Sequence, residues 1–203
     1  MVLKFRESEA EIQRLVQAAL AKEINQKVKE IIPKLKARMI PLMTQALLTC
    51  PEVVSLKNGV LRAEFGLRNE PTTALVAEIM RTLQFRQLYA QRGRGGGVQI
   101  VMQPNDYSNL FSKSFAEQKI RDGSLPWLQW LLTYGDAIII TGFGVEFGNF
   151  KGKASRTGKA VMSDDLGPYK VNSAFSGTRD DNFITRAIER TLPELINIFR
   201  SVL

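Results

Sequence analysis

The sequence predicts an α+β fold: a small, mostly antiparallel sheet with a long N-terminal helical arm and a C-terminal helix packed on it. Three observations predict it. Apolar residues recur at helical spacing from Ile12 to Ile32, and again from Phe183 to Val202. Short β-rich runs bounded by glycine, proline and asparagine lie between them. The stretch from Gly123 to Met162 holds both tryptophans, two β-rich runs and a basic, glycine-containing loop. The 203-residue length suits one core domain, residues 51–203, with the helical arm, residues 1–50, in front of it.

The arm opens with Ser8 and Glu11 at capping-box spacing. Ile12, Leu15, Val16, Ala19, Leu20, Ile24, Val28, Ile31 and Ile32 then form an apolar stripe, with Arg14, Lys22, Glu23, Lys27 and Glu30 opposite. The stripe faces either its own domain or a partner helix. Pro33 and Pro41 each remove a ladder bond, and predict a kink or restart before the helix ends near Leu48.

Pro51 to Leu56 reads as a short helix, and Lys57-Asn58-Gly59 as a turn. Val60 to Phe65 alternates, with Leu61, Ala63 and Phe65 on one face, and predicts a half-buried strand. Asn69 to Pro71 opens a helix whose apolar residues, Leu75, Val76, Ile79, Met80 and Leu83, carry it to about Tyr89. Arg92-Gly-Arg-Gly-Gly-Gly97 reads as a surface loop, Val98 to Met102 as a strand, and Asn105 to Gln118 as a helix.

Ser124 and Pro126 suit the start of a tryptophan-bearing helix that Gly135 ends in the left-handed conformation. Trp127 and Trp130 are expected in the core. Ala137–Thr141 and Phe143–Phe147, split by Gly142, read as a bent strand or tight hairpin. A loop from 148 to 159 follows, then a short strand over Pro168–Val171. Thr191 and Glu194 repeat the capping-box spacing around Pro193, which predicts a bent or two-part last helix.

The charge balance, +8 with a pI near 9.7, permits an acidic partner, nucleic acid included. Histidine is absent and Cys50 is the one cysteine, which excludes Ser-His and Cys-His catalysis, histidine-ligated zinc and an intrachain disulfide. The N-terminus is too acidic for a signal peptide, and apolar runs of about five residues fall short of the roughly 18 a membrane span needs. A protein made and kept in a cytoplasm is expected.

Asp164-Asp165 and Asp180-Asp181 follow turn and loop signals, where aspartate serves caps and turns, so no reaction is expected to depend on them. Gly152 to Ala160 superficially resembles a phosphate-binding loop. It has one residue too many between its glycines, and alanine where the magnesium-binding Ser/Thr would stand. Lys151, Lys153, Arg156 and Lys159 lie in this loop, and Arg92 and Arg94 in the earlier one. These six are the candidate contacts to a neighbouring subunit or to DNA phosphates, with a solvated loop as the remaining reading.

Ser155-Arg-Thr-Gly-Lys-Ala-Val-Met162 and Asp181-Asn-Phe-Ile-Thr-Arg-Ala-Ile188 resemble segments of the tail-completion, or neck, proteins of tailed bacteriophages, also described as minor tail or head–tail connector proteins. The flanking Leu-Pro-Trp-Leu-Gln-Trp-Leu-Leu and Phe175-Ser-Gly-Thr178 look similar. The resemblance covers about the C-terminal third, with a long N-terminal helix as a general match. The family often has proline where this chain has Arg186, and the segment from Val98 to Gly148 is longer than in compact members. The resemblance implies an α+β virion subunit that forms a ring between portal complex and tail, with DNA passing through the lumen. It implies no enzymatic activity and no cofactor, and the residues themselves predict no metal site. The expected partners are further copies of the chain and the portal, adaptor and tail proteins, and the expected location is the virion. The alternatives are another tail component, such as a tail terminator or baseplate protein, and a magnesium-dependent DNA-processing enzyme using the aspartates.

Overall fold

The structure, a computed structural model, describes residues 8–103, 106–120, 123–150 and 155–202. It is α+β, with seven α-helices and three two-stranded antiparallel sheets among the described residues. The chain divides into two compact units. One is drawn from Met1–Ile40, Leu83–Met102 and Glu194–Leu203, the other from Pro41–Thr82 and Gln103–Pro193.

The first unit holds most of helix α1, Glu9–Leu48. The Ser8 hydroxyl accepts the Glu11 N–H at 3.3 Å, which caps α1 as its spacing predicts. Contrary to the expectation of a restart, α1 runs unbroken through Pro33 and Pro41. Each proline loses one helical bond, but Leu35, Met39, Met43 and Leu47 are buried on one stripe, and that packing outweighs the loss. Strands β1, Gln84–Leu88, and β2, Gly97–Val101, pair from Gln84↔Val101 to Leu88↔Gly97. Asn25 ties α1 to this hairpin: its carbonyl oxygen Oδ1 accepts the Ala90 N–H at 2.7 Å and its amide donates to the Ala90 carbonyl at 3.2 Å.

The Gln84–Leu88 segment corrects the expectation of helix to Tyr89. Helix α4, Thr72–Arg81, stops because the Thr82 hydroxyl donates to the Ile79 carbonyl at 2.7 Å and the alternating residues beyond pair with β2. The Arg92–Gly97 loop is tighter than expected. Gln91 and Arg94 exchange two backbone hydrogen bonds at 3.0 Å around Arg92-Gly93.

The second unit packs α2, Pro51–Asn58, α3, Val60–Glu64, and α4 with the tryptophan helix and the start of the last helix. Val60–Glu64 is helix and not the predicted strand. Its apolar residues alternate, yet Leu61 and Phe65 also sit four apart, and so short a run does not separate the two periods. The Ser55 hydroxyl decides it by accepting the Leu61 N–H at 3.0 Å as α3 begins.

Where a helix over Asn105–Gln118 is predicted, Asn105 lies outside the described residues, and those that follow form α5, Ser108–Phe111, and a 3-10 turn, Ser114–Ala116. Strands β3, Gln118–Ile120, and β4, Gly123–Leu125, follow as a short hairpin. Ser124 is therefore a strand residue and not a cap, and α6, Trp127–Thr133, starts after Pro126. Trp127 is fully buried and Trp130 nearly so, as expected. Gly135 ends the helix at φ +56, and its N–H donates to the Gly177 carbonyl at 2.9 Å.

Ala137–Thr141 is not a strand and joins Tyr169 only through an isolated bridge at Ile140, which is also all that forms over Pro168–Val171. Strand β5, Gly144–Phe147, pairs across the basic loop with β6, Ala160–Ser163.

Helix α7, Phe183–Val202, is continuous through Pro193, which corrects the two-part expectation. Thr191 starts no new helix: its hydroxyl donates back to the Ala187 carbonyl at 3.0 Å. Asn182 caps α7 from the core, fully buried. Its Oδ1 accepts the Ile184 N–H at 3.0 Å, and its amide donates to the Tyr107 hydroxyl at 2.8 Å.

Candidate functional site: a basic pocket on the second unit

The described ends of the loop that joins β5 to β6 extend their ladder. Gly148 N–H donates to the Lys159 carbonyl at 2.9 Å and Phe150 N–H to the Gly158 carbonyl at 2.8 Å. Its return arm is shaped by one hydroxyl. Ser155 Oγ donates to the Ala160 carbonyl at 2.6 Å and accepts the Gly158 N–H at 2.9 Å, with Gly158 at φ +72. This turn presents Arg156, Thr157 and Lys159 to the end of α2, to α3 and to the segment after it.

There they close a pocket of about 310 Å³ together with Asn58, Gly59, Arg62, Ala63, Leu67 and Arg68. Its charged lining is four cations and no acid. Arg62 is fixed to the wall, with its guanidinium donating to the carbonyls of Lys57, Leu67 and Arg68 at 2.9, 3.3 and 3.0 Å. Arg156 lies over Gly66, whose φ is +62; a Cβ there would sit 3.0 Å from Arg156 Nη1. Burial first, and then the charge of Arg68, pull the Arg156 pKa down. Among the described residues no carboxylate lies within 4.0 Å of any of the four cations. The charged side chains that line the pocket are therefore all positive.

Of the residues singled out in the sequence, Arg156 and Lys159 enter this pocket. Lys151 and Lys153 lie outside the described residues. Arg92 and Arg94 belong to the β1–β2 turn of the first unit and are not in the pocket lining. Sequence reasoning missed Arg62 and Arg68. The signal present was the pair of glycines, Gly59 and Gly66, that bound the short segment holding Arg62, with Arg68 two residues beyond the second glycine.

Arg156 also borders a second cavity, of about 320 Å³, which contains Glu64. Glu64 Oε1 accepts the Tyr169 hydroxyl at 3.0 Å and the Asn172 N–H at 3.2 Å, while its Oε2 is buried without a partner among the described residues. Burial raises its carboxyl from 4.5 to about 7, against the two hydrogen bonds.

Other charged groups among the described residues have structural partners or are exposed. Arg186 joins the buried Glu52 at 2.6 Å and Asp181 at 2.7 Å. Cys50 is buried against Arg190, and burial raises its thiol. Asp164 and Asp165 are exposed on a 3-10 turn, Asp164–Leu166, just after β6. No group of three or more acidic or cysteine residues is placed to hold a metal among the described residues. No single described helix is long and apolar enough to cross a membrane. The sequence matches no protein-family model and no curated protein, and the fold matches no solved structure, at a significant level.

Proposed function

We propose that this chain is a structural subunit of a tailed-bacteriophage virion, assembled with further copies into a ring at the head–tail junction that joins the DNA-filled head to the tail. The observation that carries the reading is the exposed apolar stripe at the start of α1. Ile12, Leu15, Val16 and Leu20 follow helical spacing and are 37%, 54%, 60% and 58% exposed. No residue of α1 before Val28 is buried. A contiguous apolar stripe left in water is a surface for a lasting partner, and in a ring the partner is the next copy.

The resemblance of segments 155–162, 175–178 and 181–188 supplies the position in the particle. These segments are also tightly determined in the second unit. Gly177 packs so closely on Asn182 that a Cβ would come within 2.6 Å of the Asn182 Cβ. The net charge of +8 suits a lumen wall that meets DNA without reading its sequence. Portal and tail proteins are the neighbours along the axis, and the role asks for no reaction and no cofactor.

The test is a phage deleted for this gene. Filled heads and separate tails should accumulate, and purified protein added to the lysate should join them, as counted by electron microscopy. Joined, infectious particles from the deletion alone refute the reading.

A further inference from the structure

We infer that the basic pocket receives the acidic 3-10 turn, Asp164–Asp165, of a second copy of this chain, so that each subunit both offers and fills such a site. The inference rests on the ring reading and names its contact.

The pocket and the acidic turn lie at opposite ends of one short strand. Lys159 immediately precedes β6 and Asp164 immediately follows it. Five residue steps separate them by about 16 Å of backbone, and no described cation lies within 4.0 Å of either aspartate, so a subunit's own turn does not fill its own pocket. A neighbour can. A cationic patch and a distinct acidic patch on each copy make a heterologous, head-to-tail contact, the kind that closes into rings. Both patches belong to the second unit.

The chemistry favours carboxylates over a DNA strand. A duplex footprint is met by cations spaced along the phosphate backbone. Here four cations converge on a single cavity of about 310 Å³. Two adjacent acids on one turn deliver two negative charges to one point, and arginine forks bind carboxylates in a bidentate way. The acids are available: residues 164–168 are all exposed, and no described cation lies within 4.0 Å of either aspartate. Leu166 beside them is 51% exposed, an apolar contact at the rim. Arg156, half-buried over Gly66 and near the charge of Arg68, gains from an incoming anion.

Reciprocal charge reversal on the full chain tests this. One variant carries Arg156→Glu with Lys159→Glu, another Asp164→Lys with Asp165→Lys, and a third all four changes. Self-association is measured by sedimentation, rings by negative-stain microscopy, and binding to a random duplex by fluorescence anisotropy. Each reversed pair should weaken association at least about tenfold with an unchanged melting curve, and the fourfold variant should recover most of it. A reversed pair that melts early is replaced by its neutral counterpart, with glutamine or asparagine, which should weaken association in the same direction; wild-type association in that neutral pair overturns the inference. Association equal to wild type in either reversed pair, no recovery in the fourfold variant, or a wild type that stays monomeric to its solubility limit overturns the inference. Duplex binding lost on pocket reversal while association is unchanged makes DNA the occupant instead. Rings that persist in the reversed variants remove this contact and leave the neck reading standing; a deletion phage that still joins its heads removes that reading whatever the pocket does.

Discussion

Glu64 should make the stability of the second unit fall as pH rises through neutrality. Its carboxyl is raised to about 7 because Oε2 is buried with no described partner, and the bonds from Tyr169 and Asn172 do not offset that burial. In the unfolded chain the same group titrates near 4.5. Between these two values the folded chain holds more protons than the unfolded one, so stability declines with rising pH across that window and levels off above it. At about 1.4 kcal/mol for each pH unit of the window, ionising Glu64 in place costs about 3 kcal/mol. Glu64→Gln keeps an acceptor for Tyr169 and Asn172 and removes the ionisation. Urea unfolding at pH 5 and pH 8 checks the reasoning: the variant should gain about 2–3 kcal/mol over wild type at pH 8 and little at pH 5. A difference between the two proteins that stays constant with pH would refute it.

Trp127→Ala should destabilise by about 3–5 kcal/mol, because the ring is fully buried and its Nε1–H donates to the Phe115 carbonyl at 2.9 Å; the loss is read from urea midpoints. Asn182→Ala should cost about 1–3 kcal/mol, through the lost α7 cap and the lost bond to the Tyr107 hydroxyl, which keeps the Arg179 carbonyl at 3.2 Å as its acceptor, with near-ultraviolet dichroism reporting the disturbed aromatic. Arg186→Ala should cost about 2–3 kcal/mol by leaving Glu52 buried and unpaired, and adding Glu52→Gln should recover most of that in thermal melts. Gly177→Ala should destabilise by about 1–3 kcal/mol, since its Cβ would meet Asn182 at 2.6 Å and the Leu131 carbonyl at 3.0 Å; a neutral result in the same melts would mean the loop yields freely.

Long periodic segments were legible in the sequence. The α1 and α7 stripes, the α6 tryptophans and the Ser8 cap follow from local spacing, which the fold did not override. Short segments were not. Val60–Glu64 is too brief for its period to speak, and Gln84–Leu88 became strand because β2 pairs with it, a partner invisible in local sequence. The prolines misled in one direction: at positions 33, 41 and 193 packing keeps the helix whole. Half of the pocket was legible, since Arg156 and Lys159 stand in an evident basic loop. Arg62 and Arg68 come from elsewhere in the chain, and only the fold brings them to it. The Asp181–Ile188 segment was noticed as a pattern, and Asn182, its buried cap, gives that pattern a physical reason.

The unburied beginning of α1 has a consequence for timing. Residues 9–27 precede the first buried residue of the helix, Val28, and at about 1.5 Å per residue they extend roughly 28 Å. Before Asn25, where the hairpin holds it, this stretch has little to lean on, and helices in proteins owe most of their stability to such packing. Its order should therefore depend on concentration: frayed in the dilute chain, wound when copies meet. Under the proposed ring reading, such a subunit would stay unassembled while dilute and associate once copies are brought together. Helical ellipticity that rises with protein concentration is the signature of that behaviour.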